Sequence, residues 1–246
     1  NTDKVGNYSF QFDGTADYIK APLDGTATGG ILAADDADVE LTISLWVKID
    51  TSASTRGIFQ WANALSDGSP FLFIQQNLLT FVVYVDGAYH AFSPTFSLDT
   101  WYNIIVTRTA STNIWEGYLD GVSWFTFDDS GAGLTYRSSA TDIYLGNGYN
   151  GYIDGKVSEV SIFNYALSTP ERTTLIGDAT AGVGNPMGLD VVPVAYYKGD
   201  RAALGDQWAV PNQGVSHNYA LEFNNEYVTT PPWTGYQGLL ASTTSI

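Results

Sequence analysis

Short runs in which apolar and polar residues alternate recur about every ten residues along most of this chain, several of them separated by aspartate–glycine turns. The clearest run is 41–49, with Leu41, Ile43, Leu45, Val47 and Ile49 on one face and Thr42, Ser44, Trp46 and Lys48 on the other. A period of two puts one face into a core and leaves the other toward solvent, as a half-buried strand requires. Residues 8–12, turned by Asp13-Gly14 into 17–20, predict a hairpin. Two more hairpins are expected from 79–85 through Asp86-Gly87 into 89–92, and from 114–119 through Asp120-Gly121 into 123–127. Runs 57–61 and 71–76 flank a loop, and 101–109 faces 114–119 across 110–113. The pattern predicts an all-β fold of two packed antiparallel sheets.

The stretch 141–168 adds a strand at 143–145, a loop crowded with glycine, asparagine and tyrosine, and a longer strand. From Ser158 onward, alternation places Ser158, Val160 and Ile162 on one face and Glu159, Ser161 and Phe163 on the other. Only 168–178 is expected to be helical, with Ser168 as N-cap and Glu171 three residues later in capping-box position.

Composition narrows the function. Twenty-six acids against ten bases give a formal charge of −16. Such a chain lacks the clustered cations that phosphate backbones and anionic membranes demand, so neither nucleic acid nor membrane is an expected partner. Without cysteine there is neither a disulfide nor a thiolate metal site. Both histidines, His90 and His217, lack an evident nucleophile partner, and Gly29-Gly30 and Gly146-Asn147-Gly148 lack the lysine of a phosphate loop. Asp128 and Asp129 are adjacent, so on a strand they point to opposite faces.

The segments FDGTADYI (12–19), LTISLWVKI (41–49), WYNIIVTR (101–108), YLDG (118–121), IYLGN (143–147) and GKVSEVSIFNYALS (155–168) stand in a characteristic order. In that order and spacing the chain resembles the laminin-G-like jelly rolls of the concanavalin-A-like lectin/glucanase superfamily, pentraxins included, over about residues 5–176. The resemblance implies a two-sheet antiparallel jelly-roll sandwich with one short C-terminal helix. It also implies an extracellular or virion-surface binding or adhesion module, often calcium-dependent. Glycan hydrolysis in that superfamily uses Glu-x-Asp-x-x-Glu on one strand, which puts two carboxylates on one face. That motif is absent here, so no enzyme is expected. The family's last strand usually begins Ile-Asp-Glu-Val, and related jelly rolls use its aspartate for calcium. Here the matching residues are Val157-Ser158-Glu159-Val160, and serine is a poorer calcium ligand than a carboxylate.

By the same resemblance, a pentraxin-like calcium site would draw on Asn63, Asp67, Asn147 and Asp154. The asparagines beside glycine also suit left-handed turns, so the loop reads equally as a turn. For a glycan, exposed rings and planar hydrogen-bonding groups are needed. The candidates are Tyr149, Tyr152, Trp61 and Asn150, with Trp115 and Trp124 as further rings and Trp46 as a strand-face platform or a packed side chain.

The organisation expected is a jelly roll over 1–178, a linker over 179–189 and a C-terminal β arm over 190–246. The arm contains NYALEFNNEYVTT (218–230), a partial repeat of NYSFQFDGTADYIKA (7–21). Its lead-in resembles segments that precede such modules in large multi-module proteins, phage virion proteins among them. The expected function is non-catalytic glycan recognition within a larger assembly, with self-association or other virion or surface proteins as partners. The alternatives are a purely structural virion or fibre protein assembling through the arm, or a divergent glycan hydrolase.

Overall fold

The computed structural model describes residues 9–22, 40–51, 55–61, 70–75, 78–85, 88–130, 142–148, 151–178, 182–199 and 222–223. Strands follow one another as β1 (Phe10–Asp13), β2 (Ile19–Pro22), β3 (Leu41–Thr51), β4 (Arg56–Trp61), β5 (Pro70–Gln75), β6 (Leu78–Val85), β7 (Ala88–Phe92) and β8 (Trp101–Thr109). They continue as β9 (Ile114–Leu119), β10 (Val122–Asp128), β11 (Asp142–Leu145), β12 (Asn147–Gly148), β13 (Gly151–Tyr152) and β14 (Asp154–Phe163). Helix α1 (Thr169–Ile176), a 3-10 turn (Pro186–Gly188), β15 (Ala195–Tyr197) and β16 (Glu222–Phe223) follow. One sheet runs β1-β14-β3-β8-β9-β10 with β15 also on β14, and the other runs β16-β2-β11-β4-β5-β6-β7 with β12 and β13 attached.

Leu41, Ile43, Leu45, Val47 and Ile49 of β3 join the core between the sheets as expected, but the opposite face is not left to solvent: Thr42, Ser44 and Trp46 are buried as well. The hairpins β6–β7 and β9–β10 form as expected. The one expected over residues 8–20 does not. β1 pairs with β14 and β2 with β11, so Asp13-Gly14 carries the chain from one sheet to the other instead of turning it back. Gly14 has φ +78°, a conformation glycine adopts freely.

β14 is the spine of its sheet. β3 lies along one edge, and the opposite edge is divided: β1 pairs with 154–157 and β15 with 160–162. The hand-over falls at a bulge between Ser158 and Ser161, where Glu159 has φ 53°. A non-glycine residue there costs about 1–3 kcal/mol. Local contacts offset it, since the Lys198 carbonyl accepts from the Glu159 amide (3.3 Å) and the Ser158 hydroxyl (3.1 Å), and the Tyr196 hydroxyl donates to the Glu159 carboxylate. The bulge also shifts the face of the strand. Val157, Val160 and Ile162 enter the core, whereas Ser158 pairs opposite Trp46 on the other side, not on the face of Val160 as simple alternation expects.

The outer face of this sheet is covered by α1 and the chain leading to it, through a second cluster of Ile105, Tyr118, Phe163, Leu167 and Leu175. The helix starts as expected, with the Glu171 carboxylate accepting from the Ser168 amide at 2.7 Å and the Ser168 hydroxyl at 2.6 Å. Stacked rings join the edge strands β7 and β10 of the two sheets: Phe92 on Phe125 at 4.2 Å and His90 on Phe127 at 4.3 Å.

Two buried polar features fix β8 and β9. Arg108 forms a two-pronged pair with Asp129, and the Trp115 indole donates to the same carboxylate at 2.7 Å. Trp46 is 1% exposed and Trp115 fully buried, so both are packed side chains and neither offers a face to a sugar.

Candidate functional site

Three tyrosines from three separate segments meet on the outside of the second sheet. Ile143 and Leu145 of β11 point into the core, so Tyr144 between them faces out. Tyr18 precedes the buried Ile19 of β2 and therefore takes the same outer side. Its ring centroid lies 5.8 Å from that of Tyr144 and 6.1 Å from that of Tyr152 on β13. All three residues are half-buried.

Close backbone packing holds this patch in place. Gly146 (φ +81°) turns the chain out of β11; its amide bonds the Ile58 carbonyl at 2.9 Å, and its carbonyl accepts from the Ile153 amide at 2.9 Å. β12 and β13 pair antiparallel, Asn147 opposite Tyr152, and the ribbon lies against Gly57 of β4. A Cβ at Gly57 would stand 2.1 Å from the Gly148 nitrogen, so only glycine lets the two backbones approach this closely. Arg56 ties the ribbon to the β1–β2 connection: its Nη1 donates to the Tyr152 carbonyl (2.9 Å) and the Gly14 carbonyl (3.0 Å).

Polar groups line the border. Gln60, directly opposite Tyr144 in the ladder, lies under the ribbon near Gly148. Asp154 accepts from the Thr51 hydroxyl at 2.9 Å and faces Asp13 across the β1–β14 ladder. Asp13 in turn accepts from the Thr15 amide at 2.8 Å, and Asp17 from the Asp13 amide at 3.3 Å. Aromatic rings beside amides and carboxylates can stack on the C–H face of a sugar while the polar groups hydrogen-bond its hydroxyls.

Of the residues singled out from the sequence, Tyr152 and Asn147 are brought together here, side by side in the β12–β13 ladder. Asp154 turns instead to Thr51 and the β1–β2 connection. Trp61 ends β4, but its side chain is outside the described residues, as are Tyr149, Asn150, Asn63 and Asp67. Trp124 is half-buried and packs on Phe125 at 5.4 Å, in a different part of the fold. Sequence reasoning missed Tyr18 and Tyr144. The signal was present in the parity of IYL and in the tyrosine beside the core residue Ile19, but their convergence depends on a strand pairing that local pattern does not reveal.

For calcium, Asn147 and Asp154 are the described members of the implied set, and no cluster of three or more His, Cys, Asp or Glu residues suited to a metal occurs among the described residues. Ser158, at the position of the family's strand carboxylate, is fully buried and bonded to the Lys198 carbonyl. That position does not fit a metal ligand. No helix among the described residues is long and apolar enough to cross a membrane.

A family model described as the concanavalin A-like lectin/glucanases superfamily matches residues 13–171. No curated protein matches the chain. Among solved structures, a heptameric SAP-like pentraxin from Limulus polyphemus is similar at 16% identity and TM-score 0.51, over 71% of this chain and 84% of that one. A putative carbohydrate-binding protein from Bacteroides ovatus is similar at 16% identity and TM-score 0.57, over 89% of this chain and 59% of that one. The receptor-binding domain of botulinum neurotoxin C/D mosaic serotype is similar at 15% identity and TM-score 0.56, over 72% of this chain and 44% of that one. The chain thus spans less than two thirds of the latter two, and at these identities the likeness is one of fold.

Proposed function

The chain belongs to the concanavalin A-like lectin/glucanase superfamily, and on that basis we propose that it is a non-catalytic glycan-recognition module of an extracellular or virion surface. The observation that carries this reading is the convergence of Tyr18, Tyr144 and Tyr152 on the outer face of the second sheet, with Asn147 opposite Tyr152. Half-buried rings held rigid by their neighbours lose little entropy on binding, and their faces suit the apolar side of a pyranose. The similarity to a putative carbohydrate-binding protein and to a toxin receptor-binding domain supports the same reading at the level of fold. The acidic surface favours neutral over anionic sugars, since like charges repel.

Calcium enters this proposal through Asn147 and Asp154, with Asn63 and Asp67 as the residues to complete the set, and not through Ser158. A glycan array run with calcium and again with a chelator, on the wild type and on Tyr18→Ala/Tyr152→Ala, tests the whole reading. Binding to a neutral polysaccharide that disappears with the rings is the expected outcome. Binding that survives their removal, or none to any glycan, defeats it.

A second reading, structural assembly through the C-terminal arm, is favoured by β15 and β16. These late segments add to the edges of both sheets, β15 on β14 and β16 on β2. Light scattering on a truncation ending at Gly188 tests it; an unchanged oligomeric state rules the arm out as the assembly device.

A further inference from the structure

The arm contains a second version of the first two strands. Aligned on Asn-Tyr, residues 218–224 (NYALEFN) match 7–13 (NYSFQFD), and EYVTTP (226–231) matches DYIKAP (17–22) after a connection two residues shorter. The match keeps the pattern that the fold uses. Phe10 and Phe12 enter the core, 9% and 2% exposed, while Gln11 between them is exposed. Leu221 and Phe223 fall at the two core positions and Glu222 at the exposed one.

The substitutions improve the pairing with β14. In the β1–β14 ladder Gln11 stands opposite Lys156 and Asp13 opposite Asp154. Two carboxylates directly opposite one another are unfavourable, and an acid opposite a lysine is favourable. The repeat replaces Gln11 by Glu222, which pairs charge with Lys156, and Asp13 by Asn224, which removes the carboxylate clash. Asn225 follows at the place of Gly14, whose φ is +78°. Asparagine is among the residues that best tolerate that conformation, although the Arg56 guanidinium would have to move aside for its side chain.

Within one chain this place is filled by β1. Glu222 and Phe223 lie instead beside β2, opposite Lys20 and Ile19. These two residues of the repeat already have strand conformation.

We propose that residues 218–231 take the place of β1 and β2 on β14 and β11 of a neighbouring copy of this chain, joining copies by strand exchange. The partner is a second copy because the segment that fits the place is the chain's own repeat. Main-chain ladder bonds supply the affinity, and the alternate side chains Leu221 and Phe223 supply the specificity. Tyr227 falls at the place of Tyr18, so the neighbour also contributes a ring to the tyrosine patch; that consequence alone rests on the glycan reading.

The chain has no cysteine, which allows disulfide trapping in a clean background. Under mild oxidation Glu222→Cys/Lys156→Cys should give a ladder of dimers and larger species on a non-reducing gel, lost when Phe223→Asp is added. Gln11→Cys/Lys156→Cys reports the resident β1 register. A purely monomeric link, a ladder that persists with Phe223→Asp, or no link from the first pair while the second closes overturns the exchange. Light scattering on the cysteine-free chain gives an independent reading. The wild type should show at least twice the mass of one chain and Phe223→Asp should fall to that of one chain; a wild type of single-chain mass overturns the proposal. Neither measurement needs sugar, so its failure is distinct from failure of glycan binding.

Discussion

Arg108 and Asp129 grip each other through two hydrogen bonds, Nε to Oδ2 at 2.8 Å and Nη2 to Oδ1 at 3.2 Å, with both side chains only 1% exposed. The Trp115 indole completes the carboxylate's shell at 2.7 Å, and Asn113 accepts from Nη2 at 3.1 Å. Removing one member of such a pair leaves a charge in the interior, which costs about 3–5 kcal/mol. Asp129→Ala should therefore lower the unfolding free energy by that amount in urea titration. Arg108→Met/Asp129→Leu, which removes both charges, should cost clearly less. Equal losses would mean that the pair is not insulated from water.

The tyrosine patch makes a graded prediction. Aromatic pairs gain about 0.5–1.5 kcal/mol beyond the area they bury, and stacking of a sugar C–H face on a ring is taken at the same scale. Tyr18→Ala, Tyr144→Ala and Tyr152→Ala should each weaken glycan binding roughly twofold to tenfold in calorimetry. Tyr89→Ala, an exposed tyrosine on β7, should leave it unchanged. Equal effects from all four would show that the patch is not the site.

Gly57 separates support of the site from contact with it. Its missing Cβ is what lets the β12–β13 ribbon approach β4, so Gly57→Ala must push the ribbon outward. Overpacking of this kind costs about 1–3 kcal/mol. The expected result is a modest fall in Tm together with a loss of glycan affinity at least as large as that of Tyr152→Ala. An unchanged affinity would show that the ribbon's position is immaterial.

Acid should loosen the helix before the core. Burial opposes ionisation of Glu171, but the hydrogen bonds from the Ser168 hydroxyl and amide, with Tyr165 and Arg172, outweigh it and hold the carboxyl below its ordinary value of 4.5. A carboxyl depressed in the folded state contributes stability that is complete above the unfolded value and is lost as pH falls through the folded one. Unfolding free energy should therefore decline below about pH 4.5, and Glu171→Gln should flatten that part of the profile. A variant with the wild-type acid limb would remove Glu171 as its source.

Much of the architecture is legible in the sequence because the core-facing side of each strand recurs at every second residue. The parity of 41–49 names the core residues of β3, and Ser168 with Glu171 names the start of α1. What is not legible depends on who pairs with whom. Asp13-Gly14 looks like a hairpin turn, yet the partner of Phe10 is Val157 and that of Ile19 is Leu145. The bulge at Glu159 is equally invisible, since nothing in VSEV marks a left-handed residue, and it moved Ser158 to the face of Trp46. The site follows the same rule. Tyr152 stood out because its loop has no evident core to serve, whereas Tyr18 and Tyr144 were hidden in strands that meet only after the sheet forms.

The divided edge of β14 has a consequence for how the molecule is made. Phe10 leaves the ribosome well before Val157, its partner in the ladder. β3, the other neighbour of β14, waits almost as long. Loop-closure entropy over such separations makes folding slow, and the half-built sheet exposes unpaired strand edges in the interval. The Tyr196 and Lys198 contacts at the bulge wait longer still, so the stretch that carries β15 acts as a latch on the sheet that holds β1.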